Sequence, residues 1–212
     1  MRKLEEISLV DKEVVPSLLE VASFYDERKV GDQGPLGFRR STDLGTLLRC
    51  IRYLESSGII SLGKLRFLDL GCADGRVNVF MSYISEISVG IELNDWTLAE
   101  YLPLLEGLKA RLSELNLLPP RENIFLFLGD SLDEDVETTV RLHTGLGYED
   151  FDIFYTYLVM HEEFSQLVIN KAKKGAQFWV YGISNIMPKY KDLRNLTQKG
   201  PIEGILGVYQ KI

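Results

Sequence analysis

The sequence predicts an α/β fold with a doubly wound, mainly parallel sheet covered by helices on both faces. Three observations carry this expectation. From residue 66 onward, apolar runs of strand length alternate with segments of helical periodicity, the order that builds a parallel sheet. The run Arg66-Phe67-Leu68-Asp69-Leu70 leads into a turn framed by Gly71 and Gly75, and an amphipathic segment (Val77, Phe80, Met81, Ile84) leaves it. Such a strand–turn–helix unit brings backbone close to a ligand. Finally, the tail after Leu193 holds two short extended runs around Gly200-Pro201 and Gly204, which read as a closing antiparallel hairpin.

A length of 212 residues fits one compact domain. Within it, residues 1–60 are expected as an N-terminal helical cap and residues 61–212 as the sheet-bearing core. Apolar positions from Leu4 to Ala22 are partly helical, with Pro16 breaking or starting a helix. This segment reads either as a cap packed on the domain or as part of a substrate lid. Gly31, Gly34, Pro35, Gly37, Arg39 and Arg40 give loop chemistry. Ser41-Thr42-Asp43 then supplies a helix cap, and Leu44, Leu47, Leu48, Ile51 and Leu54 mark a helix that ends near Gly58.

The core opens with the strand at 66–70 and the helix from Val77, followed by a strand at 87–92. A long helical face runs from Leu98 through Tyr101, Leu105, Leu108 and Leu112 to Leu115, with a kink or restart expected at Pro103. Ile124–Leu128 is continuously apolar and reads as a buried strand. A short helix is expected over 135–142, a strand over 151–158, and a helix from His161 closed by Gly175. Strands over 177–182 and 205–212 complete the series.

Right-handed crossovers put the carboxyl end of every parallel strand on one rim, where ligands bind in such sheets. Asp69, Glu92, Asp130 and the Tyr155–Tyr157 segment all fall there. Composition narrows the ligand. A formal charge of −7 argues against a broad electrostatic grip on nucleic acid. No apolar run reaches the ~20 residues of a membrane span, and the start of the chain is too acidic and interrupted for a signal peptide. Two cysteines, Cys50 and Cys72, make neither a disulfide framework nor a zinc spacing, so a cytoplasmic protein is expected.

Glu92 lies about 20 positions after Gly71, the separation expected of an acid that grips ribose hydroxyls. A pyrophosphate binder prefers G-x-G-x-x-G, whereas Ala73 holds the middle position here and the last glycine is missing near Asn78. Asp69 would also repel a diphosphate, and it suits a ligand carrying an ammonium group. S-adenosylmethionine offers that ammonium, a carboxylate for a helix start and a ribose for Glu92. A nicotinamide-dependent oxidoreductase and a non-catalytic nucleoside-binding domain use the same turn and remain the competing readings.

Leu68-Asp69-Leu70-Gly71-Cys72-Ala73-Asp74-Gly75 resembles the first motif of the seven-strand, Rossmann-like S-adenosylmethionine-dependent methyltransferases. Val89-Gly90-Ile91-Glu92-Leu93 resembles their second motif, and Ala73 is a departure where many members carry glycine. The resemblance implies a seven-stranded sheet and S-adenosylmethionine as cofactor. It places Asp69, Gly71, Cys72, Ala73, Asp74 and Gly75 in the cradle, with Glu92 and Leu93 beside the ribose. Asp130, with Ser131, resembles the position that bonds the adenine amino group, although an aspartate at a loop start is also an ordinary turn or cap residue. Thr42, next to Ser41, falls where a loop closes over the methionine end, although a helix cap is an equally complete role for either residue.

Methyl transfer from a sulfonium is an in-line displacement, in which alignment at about 3–3.5 Å supplies much of the rate. No catalytic triad is required, and the sequence contains neither G-x-S-x-G nor H-E-x-x-H. Tyr155 and Tyr157 alternate onto one strand face and are candidates for an aromatic channel that favours a neutral amine. Strand aromatics filling the core are the plainer alternative. Asp152–Leu158 loosely resembles the fourth motif of the non-SET protein-lysine methyltransferases, which slightly favours a protein lysine over a small molecule as acceptor. It is not an Asn-Pro-Pro-Tyr motif. Histidine's ordinary pKa near ~6.5 suits proton uptake, so His161 is a candidate base, unless it is a simple first-turn residue. The partners expected are therefore a methyl-acceptor protein or small molecule, with nucleic acid disfavoured by the net charge and no membrane.

Overall fold

The structure is a computed structural model, and it describes residues 13–28, 41–182 and 188–212. The expectations for residues 4–12 and for the glycine-rich run 31–40 lie outside the described residues. Seven strands form one sheet: β1 (Arg66–Leu70), β2 (Ile87–Glu92), β3 (Ile124–Leu128), β4 (Ile153–Tyr157), β5 (Gln177–Tyr181), β6 (Leu193–Asn195) and β7 (Leu206–Lys211). Their spatial order is β3-β2-β1-β4-β5-β7-β6. The first five are parallel, and β7 runs antiparallel between β5 and β6. This is the mainly parallel sheet with a C-terminal antiparallel hairpin that the sequence predicts. The strand order reverses beside β1, the switch point at which open α/β sheets bind ligands.

Among the described residues, seven α-helices pack around the sheet: α1 (Val14–Asp26), α2 (Leu44–Ser56), α3 (Arg76–Ser82), α4 (Asp95–Leu98), α5 (Tyr101–Glu114), α6 (Glu134–Thr144) and α7 (His161–Lys171). Alternation along the strands sorts side chains between two cores. Phe67, Ile153, Tyr155 and Trp179 face α1, α2, α3 and α5. Leu68, Leu70, Phe154 and Phe178 face α6 and α7. Because α1 and α2 bury Leu18, Val21, Leu47 and Ile51 in the first of these cores, their apolar stripes are part of the packing that holds the sheet.

Asp43 caps α2 by accepting from Thr46 N at 2.5 Å. Asp26, at the end of α1, accepts from Leu44 N at 2.8 Å and Gly45 N at 2.9 Å. Two carboxylates thus satisfy the free N–H groups of one helix start.

Four local expectations change. β3 is an edge strand, and its side chains are only half-buried, with Leu128 exposed. A continuous apolar run cannot distinguish an edge from a centre, because that depends on strand order. The amphipathic α3 is instead buried on every side, Arg76 and Asn78 included, since it is enclosed between the sheet and α1. The long helix breaks before Pro103: Ala99 and Glu100 separate α4 from α5, and Pro103 sits in the first turn of α5, where its missing N–H costs nothing. The buried face of α5 is Leu104, Leu108 and Leu112, and Leu115 is exposed. Lastly, α7 ends at Lys171, so Gly175 belongs to the turn before β5.

Candidate active site

At the carboxyl ends of β1, β2 and β4 the rim opens into a cavity of about 230 Å³. Its floor is set by β1, where Asp69 lies level with Gly90 of β2 and Tyr155 of β4. Asp69 is only 2% exposed, and its Oδ1 has no hydrogen-bond partner among the described residues. Burial pushes its carboxyl well above the usual carboxylate range, and the charges of Glu92 and Asp74 push it the same way. A buried acceptor without a partner costs free energy unless a donor or cation arrives.

Glu92, at the end of β2, organises the turn. Its Oε2 accepts from Ala73 N at 2.9 Å. Its Oε1 accepts from Asn94 N and from Asn94 Nδ2, both at 2.9 Å. The turn is further pinned where Gly71 N and Cys72 N each donate to the Ile91 carbonyl at 2.9 Å. Two glycines are required by space. A Cβ on Gly75 would sit 2.8 Å from both Leu126 and Tyr101, at a φ of +74°. A Cβ on Gly90 would come within 2.6 Å of Asn78 and 2.8 Å of Cys72. Ala73 adopts a left-handed φ of 51°, a conformation that disfavours any Cβ.

Asp74 and Arg76 form a buried ion pair at 2.9 Å. The guanidinium grips both carboxylate oxygens, Nε to Oδ1 at 3.0 Å and Nη2 to Oδ2 at 2.9 Å. Its Nη1 donates to the Tyr25 carbonyl at 3.2 Å and to Ser41 Oγ at 2.9 Å. Arg76 therefore ties the end of α1 and the approach to α2 onto the turn. Nearby, Thr42 Oγ1 lies 2.5 Å from the Tyr155 hydroxyl. Burial pushes that phenol well above its ordinary pKa, so it stays protonated.

The structure brings together most of the residues singled out from sequence. Thr42, Asp69, Gly71, Cys72, Ala73, Glu92, Leu93, Asp130, Ser131, Tyr155 and Tyr157 all line the one cavity. Asp74 and Gly75 do not line it: the first is occupied by Arg76 and the second caps α3. His161 lies in a separate cleft with Leu158 and Tyr190. Asp130 is exposed, and its Oδ1 accepts from Leu132 N at 2.9 Å. Cys72 is buried, and its thiol is pushed up by burial and by Asp69, Glu92 and Asp74, which makes it a neutral filler and a poor nucleophile.

Sequence reasoning missed Asn94, Val159, Met160 and Phe164, which also line the cavity. Asn94 carried a signal, two positions beyond the acid it bonds. Val159 and Met160 follow β4 directly, in a loop where Leu158 and Met160 have left-handed φ values of 31° and 47°. Such strain persists where the surroundings enforce it. Phe164 reaches the cavity from α7 and carried no local signal.

The residues fit a cationic nucleoside ligand. Asp69 offers an unpartnered acidic oxygen, and Glu92 presents a second carboxylate to the same cavity. A pyrophosphate would instead meet two buried acids without a compensating cation, because Arg76 is already engaged.

The sequence matches no family model and no curated protein sequence. Among solved structures, the chain is similar to an RNA methyltransferase from Salinibacter ruber in complex with S-adenosyl-L-homocysteine. The identity is 14%, 77% of this chain and 89% of that one are covered, and the TM-score is 0.48. It is also similar to the yhhF protein of Escherichia coli, at 14% identity over 82% of this chain and 87% of that one, with a TM-score of 0.48. A tRNA (m1A58) methyltransferase, TrmI from Aquifex aeolicus, overlaps at 12% identity over 70% and 63% of the two chains, with a TM-score of 0.44. Likeness this distant leaves the chemistry to be read from the site. Strand order and rim define the class as a seven-stranded, Rossmann-like α/β domain, the fold that the motif resemblance implies. No helix among the described residues is long and apolar enough to cross a membrane, and no group of three or more His, Cys, Asp or Glu side chains there is placed to hold a metal.

Proposed function

We propose that this protein is an S-adenosylmethionine-dependent methyltransferase. The observation that carries the reading is Asp69 Oδ1, buried and unpartnered in the cavity that Glu92 and Asp130 also line. An α-ammonium is the group that such an oxygen awaits. Asp69 holds that ammonium, Glu92 takes the ribose hydroxyls, and Asp130 with Ser131 receives the adenine. Thr42 faces the carboxylate end, positioned by its bond to Tyr155. S-adenosylmethionine, when bound, supplies a methyl already activated on sulfur, so the protein's task is alignment and exclusion of water. Tyr157, Val159, Met160 and Phe164 form the apolar side of the cavity that serves this purpose.

As acceptor we favour a lysine side chain of another protein, with a small molecule as the alternative. This reading rests on the fourth-strand likeness and on the apolar rim at Leu158–Met160, all exposed, which favours the neutral amine. Calorimetry with S-adenosylmethionine and S-adenosylhomocysteine tests the cofactor: saturable binding is expected, and well-folded protein that binds neither refutes it. Enhanced NADH fluorescence would instead support the oxidoreductase reading. Labelled methyl donor with cell extract, fractionated into protein, nucleic acid and metabolites, tests the acceptor. Label confined to RNA would replace the lysine reading.

A further inference from the structure

A second cleft lies beside the cofactor cavity and has no role so far. It holds about 640 Å³ and runs between the start of α7 and the segment before β6. The two spaces adjoin along one short stretch of chain, since Leu158 lines the cleft whereas Val159 and Met160 line the cavity. The two linings interleave here, His161, Glu163 and Ser165 on the cleft and Met160 and Phe164 on the cavity, so an acceptor side chain entering by the cleft would have to pass these residues to reach the cavity's apolar edge.

His161 lies in this cleft, and its Nδ1 is 2.8 Å from the Tyr190 hydroxyl. Tyr190 is itself fixed by aromatic contacts, edge-on to Tyr209 at 4.7 Å and to Phe178 at 5.7 Å between ring centroids. The imidazole is thus aimed by a residue anchored in the sheet's second core. In the tautomer that donates Nδ1–H to the tyrosine oxygen, Nε2 carries the lone pair that a base needs. Within the cavity, Asp69, Glu92 and Asp130 are assigned to the cofactor on the reading above, and the Tyr155 hydroxyl is committed to Thr42.

We propose that this cleft receives the methyl acceptor as a primary amine, and that His161, oriented by Tyr190, takes up the amine's proton. The inference rests on the methyltransferase reading above. An ammonium drawn along the Glu162 and Glu163 side gives one proton to His161 Nε2. The neutral nitrogen then forms a bond to the methyl carbon as the carbon–sulfur bond breaks, leaving a methylammonium and a neutral thioether. Lys189 and Lys191 line the opposite side, and their charge steers the ammonium towards α7. His161 is a catalytic residue on this account, and Tyr190 is a positioning residue.

The test compares wild-type protein with His161→Gln and Tyr190→Phe, both of which leave the cavity residues intact. Tritiated S-adenosylmethionine is incubated with cell extract, and the protein and low-molecular-weight fractions are hydrolysed and analysed for N-methylated amines. Label on lysine, or on a free amine if the acceptor is small, is expected to fall at least about 100-fold in His161→Gln and about 10-fold in Tyr190→Phe. S-adenosylhomocysteine affinity measured by calorimetry should stay unchanged. Unreduced transfer in His161→Gln overturns the proposal, as does label on a group other than an amine, or no label at all from wild-type protein that binds S-adenosylhomocysteine. Failure to bind S-adenosylhomocysteine would instead defeat the underlying reading. The chain has only two histidines, so nitrogen-15 imidazole spectra report on the positioning separately. A change of His161 tautomer in Tyr190→Phe is expected, and identical spectra would remove Tyr190 from its role.

Discussion

The end of β1 and the start of α3 each carry an aspartate, five residues apart and equally hidden from solvent. Asp69 is 2% exposed and Asp74 is fully buried. Their surroundings nonetheless differ completely. Asp74 is gripped by both arms of Arg76, whose remaining donors reach Tyr25 and Ser41. Asp69 has an oxygen without any partner among the described residues. The difference teaches that burial alone does not mark a functional acid; the distinguishing feature is whether the protein has already satisfied it. One carboxylate fastens α1 and the approach to α2 onto the turn, and the other is the one to which the proposed function gives a ligand.

The sharpest way to break this comparison is to remove Asp74. Asp74→Ala leaves the Arg76 guanidinium buried without its counter-ion, a change that costs about 3–5 kcal/mol. Chemical denaturation should show that loss even without ligand. Asp69→Asn should behave oppositely. It relieves a desolvated carboxyl, so the ligand-free protein keeps or gains stability, while a charged hydrogen bond worth about 1.5–3 kcal/mol is withdrawn from the ligand. S-adenosylhomocysteine should then bind roughly 10- to 150-fold more weakly. Equal losses of stability in the two variants would show that both acids are structural.

Proton linkage sharpens the same contrast. Burial, reinforced by Glu92 and Asp74, holds the Asp69 carboxyl above its ordinary value in the folded protein. The stability tied to that retained proton is complete below the ordinary carboxylate pKa and is lost as pH rises through the raised folded value. An ammonium favours the ionised form, so ligand binding should release a proton within this window. Affinity should accordingly climb with pH there and level off above it. Calorimetry in two buffers of different ionisation enthalpy measures the released proton. No release within the window, or an identical profile in Asp69→Asn, would separate Asp69 from the cation.

What could be read in the sequence follows from how far apart the interacting residues lie. Asp69, the turn and Glu92 were legible because one strand–turn–helix–strand unit carries them all. Alternation of strand and helix likewise pointed to the parallel sheet, and the runs around Gly200-Pro201 and Gly204 to its closing hairpin. Asp74 could not be told apart from Asp69, because partnering depends on a guanidinium whose direction is set by packing against Tyr25. Thr42 and Tyr155 meet across 113 positions, and Tyr190 reaches His161 from the segment before β6. Neither pairing leaves a local pattern. The edge position of β3 was hidden for the same reason.

The smallest expected effect concerns Ala73, which lies between the two aspartates and departs from the family motif. Its φ of 51° places a methyl-bearing residue in the left-handed region, a strain of about 1–2 kcal/mol. Ala73→Gly removes the strain but adds freedom to the unfolded chain worth about 0.4–1 kcal/mol. A net gain of about 0.5–1 kcal/mol is therefore expected, or a Tm rise of about 1–4 °C for a chain of this size. The amide that donates to Glu92 is retained, so S-adenosylhomocysteine affinity should change less than twofold. Calorimetric melting checks the first expectation and titration the second. A large change in affinity with little change in Tm would mean that the alanine methyl touches the ligand, and the turn between the two acids would then belong to the Asp69 side of the comparison.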